Sequence, residues 1–251
     1  MRFLLVAENA SASPMRLKVL KEGVAGPEKD AYGLAQKALL RYAASEGGGE
    51  VALAPGERFI LNWRQHRPAG PGELVHGIYD LAVEGRVTLA VVALPAEANL
   101  AETYPTLPAL APDGVHARGT FERADRVISL QPQGLPIFLN LPVGQATPLS
   151  GYDALSGGPA VNRGHYGVVY RLEVKPSSRD VVVLLNPRGG GVAGAAKVAE
   201  FLVPLPRAGF GLQPTEVIKA GLICAGQEAT VLFMPPGGAS LPLRLLFWPL
   251  G

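Results

Sequence analysis

Apolar residues in this chain come in short runs with two-residue alternation, separated by glycine and proline. Phe3–Ala7 and Arg16–Leu20 read as strands around an Asn9-Ala-Ser-Ala-Ser-Pro14 turn. Glu50–Leu53 and Arg58–Trp63 flank Ala54-Pro-Gly-Glu57, and Leu74–Val83 and Arg86–Leu94 flank Glu84-Gly85, a hairpin-type turn. One segment has helical spacing instead. Ala31, Leu34, Ala35, Ala38, Leu39 and Tyr42 recur at three and four residues, Gly26-Pro27-Glu28 places proline in a first turn, and Gly47-Gly-Gly49 stops the run. The pattern predicts a helix over about 27–45.

Further along, residues 95–120 carry Pro95, Pro105, Pro108 and Pro112 and read as loop. Val127–Leu130 and Pro136–Leu141 are strand-like. The stretch from Pro142 to Pro159 is small, polar and turn-rich, which sets the expected domain boundary, residues 1–141 and 142–251, with Phe121-Glu-Arg-Ala-Asp125 as the alternative start of the second domain. Gly167–Val174, Asp180–Leu185, Ala195–Val203 and Glu216–Cys224 follow. The chain closes with Ala229–Met234, a Pro235-Pro-Gly-Gly-Ala-Ser240 turn and Leu241–Trp248, read as a hairpin. Strands at roughly ten-residue spacing with turn chemistry between them predict a mainly β protein. The expected architecture is two tandem β-sandwich domains, Ig- or jelly-roll-like, with one inserted helix in the first.

Composition narrows the functional classes. Gly 31 and Pro 23 fit many turns, and 48% hydrophobic residues over 251 positions supply a packed core. The net charge is +2 with Lys and Arg interspersed, which argues against nucleic-acid binding, since a phosphate-tracking groove needs clustered cations. The longest apolar run, Val87–Leu94, is strand-sized and too short to span a bilayer. The opening Met1-Arg-Phe-Leu-Leu-Val-Ala7 starts like a signal peptide, but Glu8-Asn9 cuts it short and it reads as a strand. The short lead-in to that strand favours an exported parent whose leader lies outside this chain, with a cytoplasmic protein as the alternative. Cys224, among apolar neighbours, reads as a small buried hydrophobe.

Two loops carry candidate chemistry. In Asp180-Val-Val-Val-Leu-Leu-Asn-Pro-Arg-Gly-Gly-Gly-Val-Ala-Gly194, glycines 189, 191 and 194 satisfy G-x-G-x-x-G after a strand, and 195–202 is a possible helix. That is the order of a dinucleotide turn, but an acid about twenty residues on is missing and too little chain follows to complete the remaining βαβ units. A β-turn or bulge, or an anion contact through Arg188 and exposed amides, are the competing readings. The other loop is Asn162-Arg-Gly-His-Tyr-Gly167. Asn162, Arg163, His165 and Tyr166, with Arg188, form a candidate ligand surface of planar donors beside an aromatic face. The competing reading has Asn162 pinning a turn and Tyr166 packing on a sandwich edge.

Other chemistry finds little anchor. His66, His76, His116 and His165 lack a partner at metal-ligand spacing. There is no G-x-S-x-G elbow. Asp80, Asp113, Asp125 and Asp153 are acids near loops, of which two meeting in space would form a glycosidase pair. Trp63 and Trp248 sit in strand patterns and read as core.

Three segments taken together are Asn162-Arg-Gly-His-Tyr-Gly-Val168, Val183-Leu-Leu-Asn-Pro-Arg-Gly-Gly190 and Phe233-Met-Pro-Pro-Gly-Gly-Ala-Ser-Leu-Pro-Leu-Arg-Leu245. This combination resembles uncharacterised β-rich regions of Firmicutes surface proteins that accompany copper-amine-oxidase-type N-terminal stalk domains. Arg2-Phe-Leu-Leu-Val6 and Gly23-Val-Ala-Gly-Pro27 are similar to that group as well. The resemblance covers most of the chain through its turn motifs. It implies secretion and a wall- or surface-associated module and no catalytic residues; it does not imply copper, since this chain lacks the histidine set and the oxidase catalytic domain. The expectation is therefore a non-catalytic secreted or cell-surface module for adhesion, scaffolding or glycan binding, requiring no cofactor and no metal, with a cell-wall or extracellular glycan as partner. The alternatives are a purely mechanical spacer, or an enzyme, either nucleotide-dependent through Gly189–Gly194 or a carboxylate-pair glycoside hydrolase.

Overall fold

A computed structural model of the chain describes residues 1–61, 67–111, 113, 118–142 and 148–251. The fold is mainly β, built as two compact units, Met1–Pro108 and Ala109–Gly251. The expected boundary after residue 141 falls inside the second unit. Strands at 126–130 and 137–141 hydrogen-bond to partners far downstream, and long-range pairing outweighs the loop-like composition that follows them.

In the first unit, β1 (Arg2–Asn9), β2 (Met15–Glu28), α1 (Ala31–Ala44), β3 (Glu50–Leu53), β4 (Arg58–Ile60), β5 (Leu74–Glu84), β6 (Val87–Leu94) and α2 (Leu100–Thr103) follow in order. The strands divide into two sheets, β4-β1-β6 and β3-β2-β5. None of the three expected local turns makes a hairpin. β1 and β2 lie in different sheets, and so do β3 and β4 and β5 and β6, so each turn carries the chain across the core. Buried Asn9 shapes the first crossing: its Nδ2 donates to Ser13 O and Leu53 O, both at 2.9 Å, and its Oδ1 accepts from Ser11. Between the sheets pack Ala7, Met15, Leu17, Val19, Leu53 and Leu61.

β2 serves two faces. Its odd-numbered residues from Met15 to Pro27 are buried in one unbroken alternation, apart from the half-buried Lys21. A register shift between Val19 and Lys21 inserts one residue, so the same parity that faces the other sheet before the bulge faces α1 after it. Ala25 packs with Leu34 and Ala38 of the helix and Ile78 of β5. Gly23 permits this close approach, since a Cβ there would lie 2.2 Å from Ala38 O.

The helix starts later than Pro27-Glu28 suggests. Those two residues belong to β2, with Glu28 paired to Leu74, and Asp30 is the N-cap, accepting from Gly33 N at 3.0 Å. The proline-rich 95–120 stretch also holds α2, capped by Asn99, whose side chain accepts from Ala101 N. With Tyr104 and Leu107, Leu100 covers the outer face of β1 and β6 at Leu4, Val6, Val92 and Leu94.

The second unit contains β7 (Arg126–Leu130), β8 (Ile137–Leu141), β9 (Leu149–Asp153), β10 (Gly158–Asn162), β11 (Tyr170–Val174), β12 (Val181–Asn186), β13 (Gly194–Val198), β14 (Phe201–Leu205), β15 (Ile218–Ile223), β16 (Ala229–Phe233) and β17 (Leu243–Pro249). One sheet runs β14-β13-β16-β11-β7 and the other β15-β12-β17-β8, with β7 parallel to β11. They face each other across one continuous core that includes Leu172, Val174, Val183, Leu185, Val198, Val231, Phe233, Leu245 and Phe247.

The closing strands are present as expected, but they are not a hairpin. β16 lies in one sheet and β17 in the other, and Pro235–Ser240 is an arch over the end of the sandwich. The glycine-rich segment between β12 and β13 is a second such arch. The 142–159 stretch contributes the β9–β10 hairpin, which its Ser, Gly and Pro content conceals. Asp153 at its turn is held by Arg118 at 2.6 Å, Ser156 Oγ at 2.7 Å and Leu155 N at 3.0 Å, and the guanidinium keeps its carboxyl well below the usual range.

Candidate functional site

Both candidate loops lie at the end of the second sandwich where its arches cross. The chain leaves β10 at Asn162, whose Nδ2 donates to Tyr166 O at 2.9 Å while Oδ1 accepts from Tyr166 N at 3.2 Å. The side chain thereby closes the loop on itself. Gly164 is required in the bend, because a Cβ would come within 2.3 Å of the Tyr166 ring and 2.8 Å of Leu241 Cδ1. His165 turns inward at φ 50° and is buried, its Nδ1 2.6 Å from the Tyr170 hydroxyl. Burial, and then the Arg126 charge, push its imidazole below its ordinary pKa, which favours the neutral form in the core. Arg163 and Tyr166 face solvent, with Tyr166 40% exposed.

Tyr166 ties this loop to the next. Its hydroxyl donates to Ala239 O at 2.7 Å, in the arch between β16 and β17, and burial raises its pKa. Ser240 N in turn donates to Gly191 O at 2.8 Å, in the arch between β12 and β13. That arch is anchored on its other side by a two-way bridge between Val192 and Gly211, at 2.9 and 2.8 Å. Asn186 holds its root, donating to Pro214 O at 2.8 Å and Glu216 O at 2.6 Å. Arg188, at φ 59°, sits exposed at its tip. A chain of hydrogen bonds thus places Tyr166 and Arg188 at one end of the sandwich, with Arg163 beside the tyrosine in sequence. Asn162 and His165 are the positioning residues beneath them.

The glycine fingerprint has a different use from the one its spacing suggests. Gly189, at φ 89°, makes the turn; a Cβ at Gly190 would come within 2.3 Å of Ser240 Cβ; Gly191 receives the Ser240 amide; and Gly194 begins β13 against Pro236. The following segment is not a helix. β13 and β14 form a hairpin through Ala199-Glu200, so no helix N-terminus stands behind the glycines to receive a pyrophosphate. This corrects the dinucleotide reading: the small residues are needed because two arches cross in contact.

Three of the four acids singled out from sequence serve structural bonds. Asp80 accepts from the Tyr42 hydroxyl at 2.7 Å, Asp125 from Val169 N at 2.9 Å, and Asp153 is the hairpin anchor. Among the described residues, no group of three His, Cys, Asp or Glu side chains could hold a metal ion. Trp63, His66 and His116 lie outside the described residues. Two burial expectations are reversed: Cys224 is exposed, and Trp248 on β17 is 45% exposed on the outer sheet face.

Sequence reasoning passed over a second concavity. Between the edge strands β14 and β15 lies a groove of about 730 Å3, lined by Val198, Phe201, Val203, Ile218, Leu222 and Cys224 among others, with Arg207 and Lys219. Its signal in the sequence is faint: Phe201 and Leu222 stand at positions of their strands that face outward, where a solvated edge would carry polar residues.

No known family model matches the chain, and a search of curated proteins finds no match either. Among the described residues, no helix is long and apolar enough to cross a membrane.

Proposed function

We propose that this chain is a non-catalytic β-sandwich module of a secreted or cell-surface protein, and that the arch end of its second unit is a contact surface for glycan. The observation that carries this reading is the hydrogen-bonded relay from Tyr166 through Ala239 and Ser240 to Gly191, which presents an exposed aromatic ring and the exposed Arg188 from rigidly tied loops. Sugar recognition uses such a combination: a ring face for the apolar side of the pyranose and planar donors for its hydroxyls. Loops fixed by backbone bonds lose little entropy on binding, which suits a low-affinity module presented in many copies. The residues with most chemical capacity, Asn162 and His165, are engaged in holding the loop, which favours binding over catalysis. A wall-associated setting is what the resemblance of the three turn motifs to regions of Firmicutes surface proteins implies.

Binding of the intact chain to an array of cell-wall and extracellular glycans tests the reading. Arg163→Ala, Arg188→Ala and Tyr166→Ala should each weaken a hit by roughly tenfold, about 1.4 kcal/mol. An array with no hits, or hits that survive all three substitutions, would rule the surface out.

A further inference from the structure

The groove between β14 and β15 is unrelated to the arch loops and has its own chemistry. It forms where the two sheets end: β14 pairs only with β13, and β15 only with β12, among the described strands. Its floor is Val198, buried to 1% exposure, and Gly221 lets β15 come down onto it, since a Cβ there would lie 2.9 Å from the valine side chain. Its walls are Val203, Pro204, Ile218 and Leu222. Phe201 stands at the mouth with 74% of its surface in water. Leu222, 43% exposed, lines the same groove, and exposed apolar side chains gathered at one concavity, unlike ones scattered singly, mark an interaction site.

The polar residues of the groove have one sign. Arg207 and Lys219 are both exposed, and neither has a carboxylate partner among the described residues. Among the described residues, no acid lines the groove. Glu200, beside Phe201, is taken by Lys197 at 3.3 Å, and the Glu216 carboxylate accepts from Leu212 N and Gln213 N. An occupant that complements both features has an aliphatic body for the walls and an anionic head for the two cations. A cavity in the range of about 300–1,000 Å3 is sized for one such molecule rather than for a protein surface.

We propose that this groove binds an anionic amphiphile, a long-chain carboxylate or an equivalent lipid acid, with the chain along Val198, Val203, Ile218 and Leu222 and the head between Arg207 and Lys219. The exposed Cys224 lines the same groove and reports on it, because a seated chain shields its thiol from alkylation.

Titration of the full chain with dodecanoate below its micelle concentration, followed by calorimetry and by the rate of Cys224 alkylation, decides the matter. Saturable one-to-one binding that slows alkylation is expected, weakened about tenfold or more in the Arg207→Gln/Lys219→Gln double variant. Dodecylamine should bind less well than dodecanoate to the native chain and should gain in the double variant. Leu222→Asp should abolish dodecanoate binding, with far-UV circular dichroism showing that the fold is kept; if that variant unfolds, the double variant, whose side chains are on the surface, carries the test. Binding to phosphatidylglycerol vesicles but not to monomeric dodecanoate would assign the same head chemistry to a membrane surface. Equal affinity for dodecanoate and dodecylamine, or alkylation of Cys224 unaffected by either ligand at millimolar concentration and by vesicles, overturns the proposal.

Discussion

The two units bury their sheets in different ways. The second places one unbroken cluster between its two sheets, to which the described sandwich strands β7, β8 and β11–β17 all contribute. The first divides its apolar residues into separate patches: between the sheets, beneath α1, and beneath α2. A continuous core makes a cooperative block on which loops can be held in fixed positions, and the candidate contact residues are found on that block. A divided core lets its parts loosen one at a time.

Truncating the shared core should break the contrast most visibly. Phe247 is fully buried on β17, so Phe247→Ala should cost about 3–5 kcal/mol and lower the denaturant midpoint of the second unit as a whole. Amide exchange should accelerate together in both of its sheets; acceleration confined to β17 would mean its core is as divided as that of the first unit. In the first unit, Leu34→Ala truncates the one buried side chain larger than alanine in the patch beneath α1. The cost should be about 2 kcal/mol, at the low end for a buried leucine, because the surrounding alanines let the gap close. It should appear as earlier exchange of α1 amides while those of β1 and β6 stay protected. Uniform loss across the unit would show that the patches are coupled after all.

The smallest effect is a pH dependence. His165 is held below its ordinary pKa by burial and by Arg126, and His76 by burial. Below pH 6.5, the ordinary histidine value, the unfolded chain takes up protons that the folded chain refuses. The stability these groups allow is therefore complete above that pH and declines as the pH falls beneath it. His165→Asn, a residue that tolerates the positive φ, should flatten this decline in the second unit while the first keeps its own from His76. Urea midpoints of each unit on either side of pH 6.5 read the difference.

Strand positions were largely legible in the sequence, because each depends on a local alternation. Glu50–Leu53 is recovered residue for residue, and β5 and β6 to within a residue. Pairing was not legible. Glu84-Gly85 and Pro235–Ser240 have hairpin composition, yet both link different sheets, and turn residues specify a reversal of direction without saying whether the next strand bonds to the last. The bulge at Leu20 left no trace either, since the inserted residue preserves the odd-numbered alternation while exchanging its meaning. At the candidate site, the residue types of Asn162, His165 and Tyr166 were visible and their roles were not. Whether a histidine points into a core or out of it depends on a φ angle and on a tyrosine five residues later.

The order of strands in the sheets has a consequence for how the chain assembles during synthesis. In the first unit the central strands, β1 and β2, are made first, and later strands add to their edges. In the second, β16 and β17 occupy interior positions and are made last: β17 completes its sheet between β12 and β8, and β16 joins β13 to β11. The first unit can grow outward as it leaves the ribosome, while the second must hold half-paired strands in waiting until its final residues are free. A nascent chain stalled before Leu243 would leave β8 without its partner and one edge of β12 bare, a species suited to chaperones or to aggregation.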